Sequence, residues 1–556
     1  MANLVKSQLI PLVIPSKGMS TRFPLAAMPL EYSPWIQDYD NEGGFYESRK
    51  GLNFLGGMQY GVSAIASHPT NKNRLVFYAF NAFLIYLIYY DIVSNTIVDD
   101  DIIVGSSAGV NKRALAVNFN KNTYFFQNGT ALGFSVLRFD GTNVSGTPYT
   151  GPTGGNVVFG FTYKHRMYLV TNLSSSIWYS NLDAVVGPTK QVDFASLTQD
   201  AGIIMCGFSF TLSGSTKAFT GSSAESLFAL IFDTGEMLVF SGNYPDDVTT
   251  WNLISKLRMG APLGYQSFIE KDGDVLVLTK SGIVSCRTLL TTAQGDVVAA
   301  TITSEIERYW TQLIGDIQAN ETLASWTPIS SIISSIHGSY HQQRNKIVIF
   351  VPKYLKPQDI NNSQVGYVYV NAPAALVYDI ATQAWTIHVL DILGAGNERY
   401  FINSYYWPAF GKLYVGSQSN AIASGLWEYW GNKSYIDKKR DGTFQVVSPQ
   451  IKTAYVNTAY QSSVKGVFIS HQGGYSKSTT RLQIVGDSGA QYTNPQAVSY
   501  PVVNEKITRD FYDVGITAEN VSLSLTATTD AAGSMTNKPY KLISLTAMTE
   551  TTRSPT

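Results

Sequence analysis

Residues 227–251 read LFALIFDTGEMLVFSGNYPDDVTTW. Leu227–Phe232 predicts one strand, Asp233-Thr234-Gly235 a tight turn, and Met237–Phe240 the returning strand, with Trp251 closing the unit. A single hairpin cannot bury its apolar face alone. Copies placed side by side can bury one another, and a long chain of imperfect β units at this scale predicts a β-propeller. The pattern argues against enzyme folds built around a single Gly-rich nucleotide site.

Related strand pairs begin near Leu75, Tyr124, Met167, Leu227, Val275, Ile347 and Leu413. Their spacing is roughly 45–70 residues, against about 40–45 in a WD40 blade, so several units carry insertions. Turn residues fall where hairpins need them: Asn128-Gly129, Asp140-Gly141, Asp233–Gly235, Asp272-Gly273 and Ser281-Gly282. The expected fold class is all-β: a propeller of six or seven blades over 61–435, an extended N-terminal arm and a C-terminal β-sandwich. One segment breaks the rhythm. Thr303–Ile317 has apolar residues at helical spacing (Ile306, Tyr309, Trp310, Leu313, Ile317), and Ser304 with Glu307 suggests a capping box. It reads as a helix covering a propeller face.

The arm, residues 1–60, holds Pro11, Pro15, Pro24, Pro29 and Pro34, which disfavour helix and central strand alike. Its Phe23, Met28, Trp35, Ile36, Phe45 and Tyr46 nevertheless need burial, so it should lie extended across another surface. Residues 43–54, GGFYESRKGLNF, read as a hairpin leading into the repeats. From 436 to 556, alternating runs such as Val521–Thr528 (VSLSLTAT) predict a small antiparallel sandwich.

The 556 residues are 44% hydrophobic and only 14% charged, with 34 Tyr. Average soluble domains carry about 25% charge. This is the balance of a β-rich, virion-type or extracellular protein with a polar, uncharged surface. Forty basic and forty acidic side chains give zero net charge, so no overall field draws the chain to DNA or an anionic membrane. Lys438-Lys439-Arg440 is flanked by Asp437 and Asp441 and reads as a solvated turn. Cys206 and Cys286 read as buried free thiols. Pro11 and Pro15 break the one N-terminal apolar stretch, so no signal peptide is expected. Phe83–Tyr90, the longest apolar run, is far short of the ~20 residues of a membrane helix. The chain is expected to be soluble and made in a cytoplasm.

Motifs that carry chemistry are sparse. Gly105–Gly109 fits GxSxG, but a nucleophile elbow needs a helix next, and Val110–Phe119 reads as strand. His337 and His341 are four apart in a stretch without helical pattern or an HExxH glutamate. Asp99–Asp101 and Asp246-Asp247 lack EF-hand spacing. Gly411-Lys412 runs into a strand at Leu413, so there is no Walker A loop. Asn128–Thr130 is a glycosylation triplet without meaning unless secreted. Propeller glycosidases group carboxylates at one mouth, which the sequence cannot display. No catalytic, cofactor-binding or metal residue is assigned, and no cofactor is expected.

The stretch from 227 to 290 orders a "D-TGE-LV" strand pair, a "Y-P-D" loop, a Trp, a "G-PLG" turn and "GD-LVLT--G". This resembles the tail nozzle proteins of short-tailed bacteriophages, relatives of the packaged-DNA stabilisation proteins. His165–Leu182 (HRMYLVTNLSSSIWYSNL), the "RKG" turn at Arg49–Gly51 and the helix at 303–317 fit the same pattern. The likeness is good over roughly 160–320, weaker over 20–160 and 330–435, and absent beyond 440. It implies a non-enzymatic virion protein, assembled in the host cytoplasm. The implied role is a homohexameric tube below the tail adaptor ring that retains packaged double-stranded DNA and conducts it during ejection. Tail fibres are a further implied contact, and the residues lining the DNA bore are not assigned. Two other readings stay open: a carbohydrate-binding or polysaccharide-degrading propeller, and another tail component such as a fibre-attachment or receptor-binding protein.

Overall fold

The computed structural model describes residues 6–551 apart from 25–26, 43–44, 58–60, 81–83, 107–113, 128–135, 153–156, 201, 213–225, 293–295, 320–334, 359–365, 391–399, 419–424, 432–435, 439–443, 448, 473–477, 487–490, 494–497, 501–507 and 530–540. The turn at Asn128-Gly129 and most of the Lys438–Arg440 cluster lie outside the described residues.

The stretch at 227–251 folds as read. Ser226–Phe232 and Glu236–Ser241 pair antiparallel, with Phe228 opposite Phe240 and Leu230 opposite Leu238. Gly235 takes φ +82°, a conformation that favours glycine. Asp233 steadies the turn by accepting the Ile203 N–H at 2.8 Å. Trp251 stacks on Phe240 with ring centroids 5.1 Å apart. With Ile204–Thr211 inside and Asn252–Arg258 outside, the hairpin is the middle of a four-stranded blade.

The same meander recurs round a ring, and the protein is a β-propeller. Among the described residues, six blades have four strands in this order. A seventh sector, Phe268–Lys271, Asp274–Leu278 and Ile283–Ser285, has three. There α1 (Cys286–Thr291) and α2 (Val297–Ala300) follow the third strand. Counted along the chain, this sector is blade 5. The first strand of each blade lines the axis: Gly61–Ser67, Ala114–Phe119, Val157–Tyr163, Ile204–Thr211, Phe268–Lys271, His337–His341 and Tyr400–Trp407. Each blade packs on the next, and blade 7 returns to blade 1. Closure is supplied by the arm, because Asn53–Gly57 is the fourth strand of blade 7, paired with Gly425–Tyr429.

A repeated device fits blade to blade. An inner-strand glycine receives a large side chain from the preceding blade: Gly160 takes Phe126, Gly207 takes Phe161 and Gly338 takes Ile269. At each, an added Cβ would overlap the incoming group.

The helix expected at 303–317 is α3, Glu307–Ala319, with Tyr309, Trp310, Leu313, Ile314 and Ile317 buried. The expected Ser304–Glu307 capping box does not form. Ser304 opens a 3₁₀ turn, Ser304–Ile306, ahead of the helix. The arm serves the helix start instead: the Tyr309 N–H donates to Thr21 Oγ1 at 3.3 Å, and the Thr21 N–H donates to the Glu305 carbonyl at 2.8 Å. Cys206 and Cys286 are buried and unbridged.

The hairpin expected at 43–54 falls earlier, pairing Tyr39–Glu42 with Phe45–Ser48. Beyond blade 7, Thr508–Thr529 pairs with Val456–Gln472 and then with Ser478–Gly486. Lys541–Thr551 joins Val456–Gln472, and Lys6–Leu12 of the arm pairs with Lys541–Thr551. Trp35–Gln37 pairs with Gln450–Lys452 and meets Ile387 of blade 6 through Gln37. One hydrogen-bonded sheet therefore runs from blade 6 through the arm into the C-terminal strands. Ile36, Tyr39 and Tyr46 of the arm share a core with Val467, Leu525 and Leu545.

Candidate functional site

Two concave regions stand out. The first, about 690 Å³, lies between the arm hairpin and the turns of blades 6 and 7, and Asp40, Glu42, Glu47, Arg344, Lys412 and Glu428 are among its lining residues. Strand Lys346–Val351 begins with a lysine whose side chain is only 1% exposed. Its ammonium lies 3.3 Å from Asp40 Oδ1, 3.1 Å from Glu42 Oε1 and 4.0 Å from Asp379 Oδ2. Burial, the largest single influence, opposes charge on Asp40, but Lys346, His388 and Arg344 together outweigh it and hold the carboxyl at about 2. His388 is fully buried, with Nδ1 2.6 Å from the Tyr429 hydroxyl and Nε2 3.2 Å from the Tyr39 carbonyl. Burial first, then the charges of Arg49 and Lys346, push it down to about 3 against the pull of Asp40. Beside this cluster, Arg49 Nε donates to Asp38 Oδ1 at 2.7 Å, and both side chains are buried. Arg49 Nη2 also donates to the Val389 carbonyl, and the Val389 N–H donates to Asp38 Oδ1. The arm is thus bolted by charge to the last strand of blade 6. At the rim, the Arg344 guanidinium sits 4.8 Å from the centre of the Trp430 ring and 3.3 Å from Glu42. Lys412 pairs with Glu428 at 3.2 Å.

The second region is the mouth of the propeller channel. Two adjoining cavities of about 580 and 340 Å³ share Phe268, Glu270, Asp272 and Tyr405. Their walls come from inner strands: Asn118, Thr162 and Ser209 on one side, Ser339 and Ser404 on the other. Phe208 stacks against Phe268 at 6.0 Å. The Tyr340 hydroxyl donates to Asp272 at 2.8 Å. Glu270 is exposed at this mouth.

The sequence motifs fall elsewhere. Gly105 and Ser106 end strand Thr96–Ser106, while the rest of the GxSxG match lies outside the described residues. His337 and His341 share one strand and are both buried. His337 Nδ1 lies 2.7 Å from the Ser335 carbonyl. His341 packs against Tyr406 and Trp430, and burial lowers its pKa to about 4. Asp247 is spent on its own turn, accepting from Thr249, Thr250 and Asn243, and Asp246 pairs with Lys190 at 2.9 Å. Asp99–Asp101 lie within a strand. Among the described residues no group of three or more His, Cys, Asp or Glu is arranged to hold a metal. No described helix is long and apolar enough to cross a membrane. Sequence reading missed Lys346, Asp40, His388 and Glu270. Asp40 lies 306 positions from Lys346 and Tyr39 lies 349 from His388, and Glu270 carries no motif.

No family model matches the chain, and no curated protein matches it. Among solved structures it is similar to the Raptor protein of Chaetomium thermophilum, at 9% identity and TM-score 0.38, over 69% of this chain but only 30% of that one. It is also similar to the Dos1 propeller, at 10% identity and TM-score 0.36, over 69% of this chain and 95% of that one. A third likeness is to an exo-β-1,3-galactanase of Phanerochaete chrysosporium, at 11% identity and TM-score 0.25, over 90% and 99%. The propeller assignment stands on the strand pairing itself, and these likenesses assign no activity.

Proposed function

We propose that this chain is a structural virion protein, the tail nozzle of a short-tailed bacteriophage. In this reading six copies form a ring beneath the tail adaptor, retain packaged DNA and conduct it at ejection. Tail fibres are a further contact, and the protein is not an enzyme. The resemblance over 227–290 motivates the reading.

The observation that carries it is the interlocking of the three parts. The arm closes blade 7, bridges blade 6 to the C-terminal sheet and pairs with Lys541–Thr551. A ring that holds pressurised DNA needs subunits that deform as one body. The charges of the cavity beside the arm hairpin support a structural role too: Asp40 and Glu42 are tied to Lys346, and Glu428 to Lys412. Carboxylates held this way are poor general acids or bases. A near-neutral surface suits DNA passage, because lysine and arginine contacts to phosphate would retain the strand at low salt.

Particles assembled without this protein test the reading. They should fill with DNA and then lose it, seen as nuclease-sensitive genome outside the capsid. Particles that keep their DNA and infect normally would overturn it. Depolymerisation of a capsular polysaccharide by the purified chain would favour the carbohydrate reading.

A further inference from the structure

We draw no further inference here: the strongest candidate, the outward face of the C-terminal sheet where Leu9, Met548, Phe468 and Phe511 adjoin across four paired strands, is an apolar surface, and nothing in the structure shows what covers it.

Discussion

Lys346 and its partners show how individual residues set the limits of this fold. Replacing Lys346 by Met would strand Asp40 as a buried, uncompensated charge. Removing one member of a buried pair typically costs about 3–5 kcal/mol, and urea denaturation of Lys346→Met should show a loss of that order. Acid should act through the same cluster. His388 has its pKa lowered to about 3. Below about pH 6.5 the unfolded chain therefore takes up a proton that the folded chain refuses, and stability falls as pH drops toward 3. Asp40, held at about 2, adds a further loss as pH falls from the ordinary carboxylate range through its folded pKa. His388→Gln should reduce the fall of the urea midpoint between pH 6.5 and 4, leaving the share due to His341, whose pKa is lowered to about 4, and should leave the steeper loss below pH 4. An unchanged slope in that variant would place the acid sensitivity elsewhere. Gly207 makes a separate point about space. A methyl group there meets the Phe161 ring, and overpacking of this kind costs about 1–3 kcal/mol. Gly207→Ala should be destabilised by that much, and Phe161→Leu should partly restore it. Additive effects in the double variant would deny the contact.

At the scale of elements, local signals were readable and distant ones were not. Leu227–Phe240 announces its hairpin because the apolar runs and the turn residues Asp233–Gly235 lie within a dozen or so positions. Helix α3 announces itself through Tyr309, Trp310, Leu313 and Ile317. Its cap did not, because Thr21 is 288 positions away from the Tyr309 N–H it receives. Thr21→Val should lower stability by about 1 kcal/mol, whereas Ser304→Ala should change it little; thermal melting of the two variants distinguishes the arm cap from the capping box. The arm was legible as an extended segment from its prolines, and Met28, Trp35, Ile36 and Tyr46 are buried as read, whereas Phe45 is exposed at the hairpin. That Asn53–Gly57 would complete the last blade was not, since a five-residue strand does not reveal its partner. The blade glycines were visible as residues, but their purpose depends on a side chain from the neighbouring blade.

For the whole molecule, the arm decides whether the propeller and the C-terminal sheet are one object. Paired strands join it to blade 7, to Gln450–Lys452 and to Lys541–Thr551. A single body of this kind suits a ring subunit, and the nozzle proposal rests on that together with the resemblance over 227–290. Quantitative mass spectrometry of purified particles, scaled to the major capsid protein, tests the proposal most directly. The account predicts about six copies per particle, one ring's worth; absence from particles, or a copy number well above six in multiples of three, would contradict it.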